Sequence, residues 1–479
     1  ELVIAIGTDP EALDSVKMSS TPAAMVVTHV VETLFWEPPE FAPRLATGYE
    51  VSEDGLTWTI YLRKGVKFHD GTPFNAEAVK INLDRFREKA LFAFLLKPIK
   101  EVEVVDEYTI RIHTEKPFAP LLAHLSHDFV GMISPKQIAA LGEGEIIQAP
   151  IGTGPFKFDK WVRGEYIRLV KNPDYWGEPA YLDSIVFKVV PEDATRVVLL
   201  ETEEVHAIMR VPPIDAPRLE ATPGIELVRV PSVRTIYIGM NCQLPPFDDV
   251  RVRWAINYAV DKEAIVEHVL EGVGRPSDAP ISPGIFGYHP MPRYEYNLER
   301  AKRLLALAGY PDGFKVTLYH PTGRYLMDAA IAEAVQSYLR EVGIEVELVT
   351  MEWPAYLAFT RKPLEETGLE MYLLGWGCVT MDADYGLYPL FHSSQWAPKV
   401  NRTFYRNTTV DLLLEEARLT MDAERRDELY YEAIYHIWYD APWLFLHSEV
   451  QVNAQLTKVK GLVHHVQEKI LAHRAWLED

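Results

Sequence analysis

FKVTLYHPTGRYLMDAAIAEAVQSYLREVGIEVELVT, residues 314–350, decides the fold class of this chain. Phe314, Val316 and Leu318 alternate as one face of a strand. Asp328 is placed to cap a helix whose apolar stripe is Ile331, Val335, Tyr338 and Leu339, and Gly343 ends it. Ile344, Val346 and Leu348 then alternate again. Strand, helix and strand in that order predict parallel pairing and an α/β fold. Ligands of open α/β sheets sit beyond the carboxyl ends of the strands. The loop 320–327 lies at such an end and aims the start of a helix at whatever binds there, and helix starts attract anions. Arg324 adds forked donors suited to a carboxylate; its plainer reading is a solvated loop arginine.

Outward from this unit, residues 298–307 read as a helix with Gly309 just past its end. Residues 370–374 read as a strand running into Gly375-Trp376. The loop after it joins aromatic surface to two carboxylates, Asp382 and Asp384, which suits an ammonium. The same aspartates also suit turn and helix capping, and the Asp-x-Asp spacing a metal, although no other ligand cluster accompanies it. At the N-terminus, residues 1–7 alternate as a strand, a polar stretch includes Met18-Ser19-Ser20-Thr21, and residues 23–35 are predicted helical. Residues 36–43, with Pro38, Pro39 and Pro43, make a natural crossing between domains. A strand over 57–63, a turn at Asp70-Gly71 and a helix capped by Asn75 then open a small α+β unit reaching to about 168. Strands over 166–170 and 184–190 and a helix over 192–201 follow.

Composition limits the function. The 479 residues are 48% hydrophobic and 24% charged, which excludes disorder, and the net charge is −21. That charge speaks against nucleic acid and against an anionic membrane surface. No apolar run is long enough to span a bilayer. Cys242 and Cys378 cannot build a disulfide scaffold and are read as two buried free thiols rather than a bridge. The chain starts at Glu1, which suggests a removed export signal and a place outside the cytoplasm. Scarce Asn and Gln with 34 prolines suggest a heat-adapted source. There is no phosphate loop, Gly152-x-Gly154 and Gly272-x-Gly274 lack a third glycine, and neither a nucleophile elbow nor a zinc-protease motif occurs. His124-x-x-His127 and His464-His465 read as filler rather than metal ligands. Nothing indicates a catalytic site, a cofactor or a metal.

Four motifs, spread in order, resemble the extracytoplasmic solute-binding proteins of peptide, glutathione and nickel ABC importers (family 5). The first is Leu62-Arg63-Lys64-Gly65-Val66-Lys67-Phe68-His69-Asp70-Gly71-Thr72-Pro73-Phe74, with Asn75-Ala76-Glu77. The second is Gly152-Thr153-Gly154-Pro155-Phe156 with Asn172-Pro173-Asp174-Tyr175-Trp176-Gly177; the third runs from Phe247 to Asp261. The fourth begins at Tyr296-Asn297 and ends Ala308-Gly309-Tyr310-Pro311-Asp312-Gly313-Phe314. The resemblance implies a two-lobed periplasmic-binding-protein fold (type II-like) with a peripheral α+β domain and a ligand cleft between the lobes. Domain I would comprise 1–37, 169–246 and 448–479, domain II 38–168, and domain III 247–447. It further implies a binding protein, not an enzyme, that delivers a small peptide-like solute to a membrane permease as a monomer. Its location would be periplasmic or extracytoplasmic, with or without a lipid anchor.

Dipeptide binders of this family carry an aspartate three residues after the tryptophan, where this chain has Val379. The stretches Asp382–Leu387 and Asn401–Asn407 look more like the glutathione-binding branch. A carboxylate-bearing ligand of that kind would use Ser19, Ser20, Thr21, Arg324 and the helix start near Asp328. Asp382 or Asp384 would take its ammonium, and Tyr325, Trp376 and Tyr385 would cover its apolar parts. Arg210 and Arg234, beside strands at the edge of domain I, are weaker candidates, with surface salt bridging as the alternative. Ordinary di- or oligopeptides, a nickel chelate and oligosaccharides are the competing ligands within the family, and a hydrolase the competing function outside it.

Overall fold

The structure is a computed structural model that describes residues 1–36, 41–142 and 144–478. Phe314–Pro321 and Ile344–Met351 are strands joined by the helix Asp328–Arg340. They pair in parallel, with Phe314 opposite Ile344, Val316 opposite Val346 and Leu318 opposite Leu348. The helix buries Ile331, Ala332, Val335 and Leu339, a spacing that puts all four on one side. Tyr338, predicted for the same stripe, sits at its rim and packs against Tyr296. Gly343 has φ 85°, a left-handed conformation that suits glycine after a helix.

Met371–Gly377 flanks Phe314–Pro321 on the other side, again in parallel. These strands form one end of an eleven-stranded sheet whose other end holds Leu2–Ile6, Ser184–Val189, Tyr166–Lys171 and Phe156–Val162. Two long antiparallel strands, Ile225–Met240 and Trp443–Leu456, run through the middle. Their register shifts between Pro231 and Thr235. One half of this pair carries Ala207–Ile208, the other Met371–Gly377. The molecule is therefore two α/β lobes sharing two continuous strands. The expected boundaries at 168/169 and 447/448 fall inside Tyr166–Lys171 and Trp443–Leu456. Alternation marks a strand but not the sheet that takes it.

The peripheral unit is a four-stranded antiparallel sheet of Ala46–Val51, Thr57–Leu62, Thr109–Thr114 and Ile99–Asp106. The helix Ala76–Lys89 buries Val79, Leu83 and Phe86, and the Asn75 side chain caps it by accepting from the Ala78 N–H at 3.0 Å. Of the Pro-rich crossing, Pro38 and Pro39 lie outside the described residues.

The helix predicted over 23–35 is only Thr21–Val27. The chain beyond it is claimed by a buried knot. The Gly154 N–H donates to the Val30 carbonyl, and a Cβ on Gly152 would lie 2.0 Å from that oxygen. Glu32, fully buried, pairs with Arg44 and accepts from Thr153 Oγ1, Tyr175 Oη and Trp176 Nε1 at 2.7–2.8 Å. The Gly-Thr-Gly-Pro-Phe and Asn-Pro-Asp-Tyr-Trp motifs thus serve to hold one buried carboxylate. Both cysteines are free thiols. No helix among the described residues is long and apolar enough to cross a membrane.

Candidate functional site

The strands Phe314–Pro321 and Met371–Gly377 end side by side, and the loops that follow them face the first lobe. Asp328 does not cap its helix in the predicted manner. Its Oδ2 accepts from the N–H groups of Arg324, at 2.9 Å, and Tyr325, at 3.1 Å, while Met327 takes φ 55°. The carboxylate of Asp328 thereby occupies the place expected for a ligand's, and burial raises its pKa. The closed turn turns the Arg324 side chain inward, where it is 1% exposed.

Arg324 is poorly matched. Its guanidinium lies over the rings of Tyr325 and Trp353, at 4.6 and 5.1 Å. Nη2 is 3.4 Å from Thr21 Oγ1 and Nη1 3.8 Å from Glu468 Oε2, whereas Nε and Nη1 have no hydrogen-bond partner. Burial, and then the charge of Arg234, push its pKa down to about 10. Arg234, from the shared strand, is well satisfied by contrast. It donates to Glu468 at 2.5 Å, to the Gly375 carbonyl at 3.0 Å and to Thr21 Oγ1 at 2.7 Å. Burial opposes its charge, but Glu468 outweighs it and raises the pKa. Within the carboxylate pair behind these arginines, burial would raise Glu468, yet Arg234 and Arg324 hold it low. Glu449 is raised, by burial and then by Glu468.

Two further arginines enter from the second lobe. Arg361 follows the helix Trp353–Thr360, and Arg402 lies in the loop before the helix Thr408–Leu419. Arg402 is 3% exposed with Nε and Nη1 unpartnered; Arg361 Nε is likewise buried without a partner. Burial, and then Arg402, push Arg361 down to about 9.

Arg234, Arg324, Arg361 and Arg402 together line one cavity. The first lobe contributes Ser19, Ser20 and Thr21, the peripheral unit His127, Asp128 and Phe129, and the C-terminal segment Gln467. The second lobe contributes Arg324, Tyr325, Trp353, Arg361, Trp376, Val379, Tyr385 and Arg402. Ser19 and Ser20 are held from behind by Glu11, which accepts both hydroxyls. Trp376 is fixed by its Nε1 donating to the Tyr385 carbonyl at 2.8 Å and by stacking on Phe92 at 6.0 Å.

Of the residues singled out from sequence, Ser19, Ser20, Thr21, Arg324, Tyr325, Trp376 and Tyr385 meet at this cavity. Three do not. Asp382 caps the helix Ala383–Phe391 through the Asp384 N–H and pairs with Arg426 at 2.8 Å, so its charge is spent inside the second lobe. Asp384, 1% exposed, lies 3.0 Å from His124 Nε2 and 3.1 Å from Arg418 Nε, tying that helix to the peripheral unit. Arg210 lies behind the site, beside Glu449 and Glu468, in a separate small cavity, with its N–H donating to Asn453 Oδ1. Arg234 is buried in the site rather than bridging charges on the surface. Arg361, Arg402, Trp353 and Asp128 carry no sequence signal of their own, save that Arg402 stands in the Asn401–Asn407 stretch. No cluster of three metal-ligating side chains occurs among the described residues.

The model of bacterial extracellular solute-binding proteins, family 5, matches residues 40–398. The glutathione-binding protein GsiB of Pectobacterium atrosepticum is 36% identical over 477 residues, covering 96% of this chain and 91% of that protein. The periplasmic binding protein DppA of Helicobacter pylori, solved with the peptide STSA, has a TM-score of 0.92 at 32% identity, covering 100% and 98% of the two chains. A dipeptide-binding protein from a Pseudoalteromonas species, solved with Met-Leu, gives 0.92 at 25% identity, covering both chains fully.

Proposed function

Since the chain belongs to the bacterial extracellular solute-binding proteins of family 5, we propose that it captures a small, carboxylate-bearing, peptide-like solute for an ABC importer, glutathione being the first to test. The observation that carries this is the cavity itself: four arginines, three of them with unpartnered buried donors, among Trp353, Trp376, Tyr325 and Tyr385. Buried guanidinium donors without partners are costly, and a carboxylate relieves that cost through charge-assisted hydrogen bonds. The Thr21 hydroxyl, which accepts from Arg234, keeps its own proton to donate from the opposite lobe, so a solute touching both walls favours the closed arrangement. The relative named for glutathione binding supports the same solute class.

In this reading the protein works outside the cytoplasm, carries out no chemistry of its own and hands its solute to a membrane permease. Titration calorimetry with glutathione and di-alanine tests it, together with mass spectrometry of any small molecule released on denaturation. Glutathione is expected to bind more tightly than di-alanine; the opposite order overturns the solute class, and turnover of either compound overturns the binder-only reading.

A further inference from the structure

We propose that Arg361 and Arg402 form a second anion subsite beside that of Arg324, so that the captured solute bears at least two acidic groups and its ammonium, if it has one, is not held by a carboxylate. This rests on the cavity being the solute site. Around Arg324, the nearby Glu468 already serves Arg234 through a 2.5 Å contact. Arg361 and Arg402 make no ion pair with any described residue, yet Arg402 is almost wholly enclosed and both have buried donors left over. Two like charges close enough to perturb each other disfavour one another. Glu11 offsets this in part, but its oxygens are already engaged by Ser19 and Ser20. Such an arrangement is unfavourable in the empty protein and becomes favourable when an anion enters.

The opposite charge is missing where an ammonium would need it. Asp128 is the one carboxylate among the described residues lining the cavity, and Lys469 Nζ holds it at 2.8 and 2.9 Å. Asp382 and Asp384 face buried arginines elsewhere. A zwitterionic peptide with one carboxylate therefore leaves the Arg361–Arg402 pair unmatched, whereas a dicarboxylate matches both subsites.

The test is a calorimetric series on the full chain. Its probes are glutathione, N-acetylglutathione, each glutathione monoester, and aspartylglutamate with and without an N-acetyl group. Acetylation is expected to change affinity by less than about threefold, and one of the esters to weaken it by about tenfold or more. In Arg402→Gln that ester's penalty is expected to shrink, because its partner has gone. The empty Arg402→Gln protein is also expected to melt at or above the wild-type temperature, a readout independent of any ligand. Loss of binding on acetylation, indifference to esterification at either carboxylate, or a lower melting temperature for the empty variant overturns the second subsite while leaving a glutathione site intact. Silence with every probe overturns the solute site itself, and this inference with it.

Discussion

Arg324 shows how a loop residue comes to line a buried cavity. The sequence places it after a strand; the Asp328 carboxylate, by gathering the Arg324 and Tyr325 N–H groups, closes the turn that points it inward. Arg324→Ala is expected to weaken a carboxylate-bearing solute by about 1–3 kcal/mol, because a charge-assisted bond in a water-poor site is lost. Calorimetry decides it: unchanged affinity removes Arg324 from the site. At this scale the sequence was legible where a residue type had one use. Arg324, Tyr325, Trp376 and the Ser19–Thr21 hydroxyls meet at the cavity. Asp382 and Asp384 suit an ammonium partner and a cap alike, because carboxylates near an ammonium and carboxylates near a distant arginine look the same in one dimension; Asp382 does cap its helix. Arg426 and Arg418, their true counter-ions, come from later helices.

Among elements, the end of strand Met371–Gly377 is the most constrained. A Cβ on Gly375 would lie 2.5 Å from Ile236 Cδ1 and 2.8 Å from both Arg234 Cδ and Tyr325 Cε1. Gly375→Ala is therefore expected to cost about 1–3 kcal/mol of stability by overpacking and to shift Arg234 and Tyr325. Denaturant melts read the first effect and solute titration the second; a wild-type melt contradicts it. Helices and strands with a clear period were legible: the unit over 314–351, the helix capped by Asn75 and the helix Leu298–Leu307 stand at the predicted positions. The helix over 23–35 was not. Val26, Val27, Val30 and Val31 keep a helical spacing, but Gly152 and Gly154 approach the backbone there, and the Gly154 and Phe156 N–H groups take the Val30 and His29 carbonyls. Tertiary contact overrides local preference in this case.

For the whole molecule, acid is the expected weakness. His29 and His447 are buried and His69 and His464 half-buried, and loss of solvent is the largest influence lowering each from 6.5 to about 4. The unfolded chain binds those protons near pH 6.5, the folded one only near pH 4. Stability is thus fully present above about pH 6.5 and falls as pH drops toward 4. His29 shows the reason: Nδ1 donates to the Met25 carbonyl while Nε2 accepts from the Ala472 N–H, so a second proton breaks the bond that ties the C-terminal segment to the first lobe. Melting temperatures across pH 7 to 4 check this; a flat profile between 6.5 and 4 refutes it.

The α/β class, the parallel unit and the family are legible in one dimension, because each depends on periodicity or on motifs contiguous along the chain. Which charges remain unmatched depends on contacts between distant segments. Arg234, Arg324, Arg361 and Arg402 come from separate segments, and Glu468 from near the C-terminus neutralises one of them. Whether a buried charge is a structural pair or a ligand's counterpart depends on what stands within a few ångströms of it, and that is fixed only when distant segments fold together.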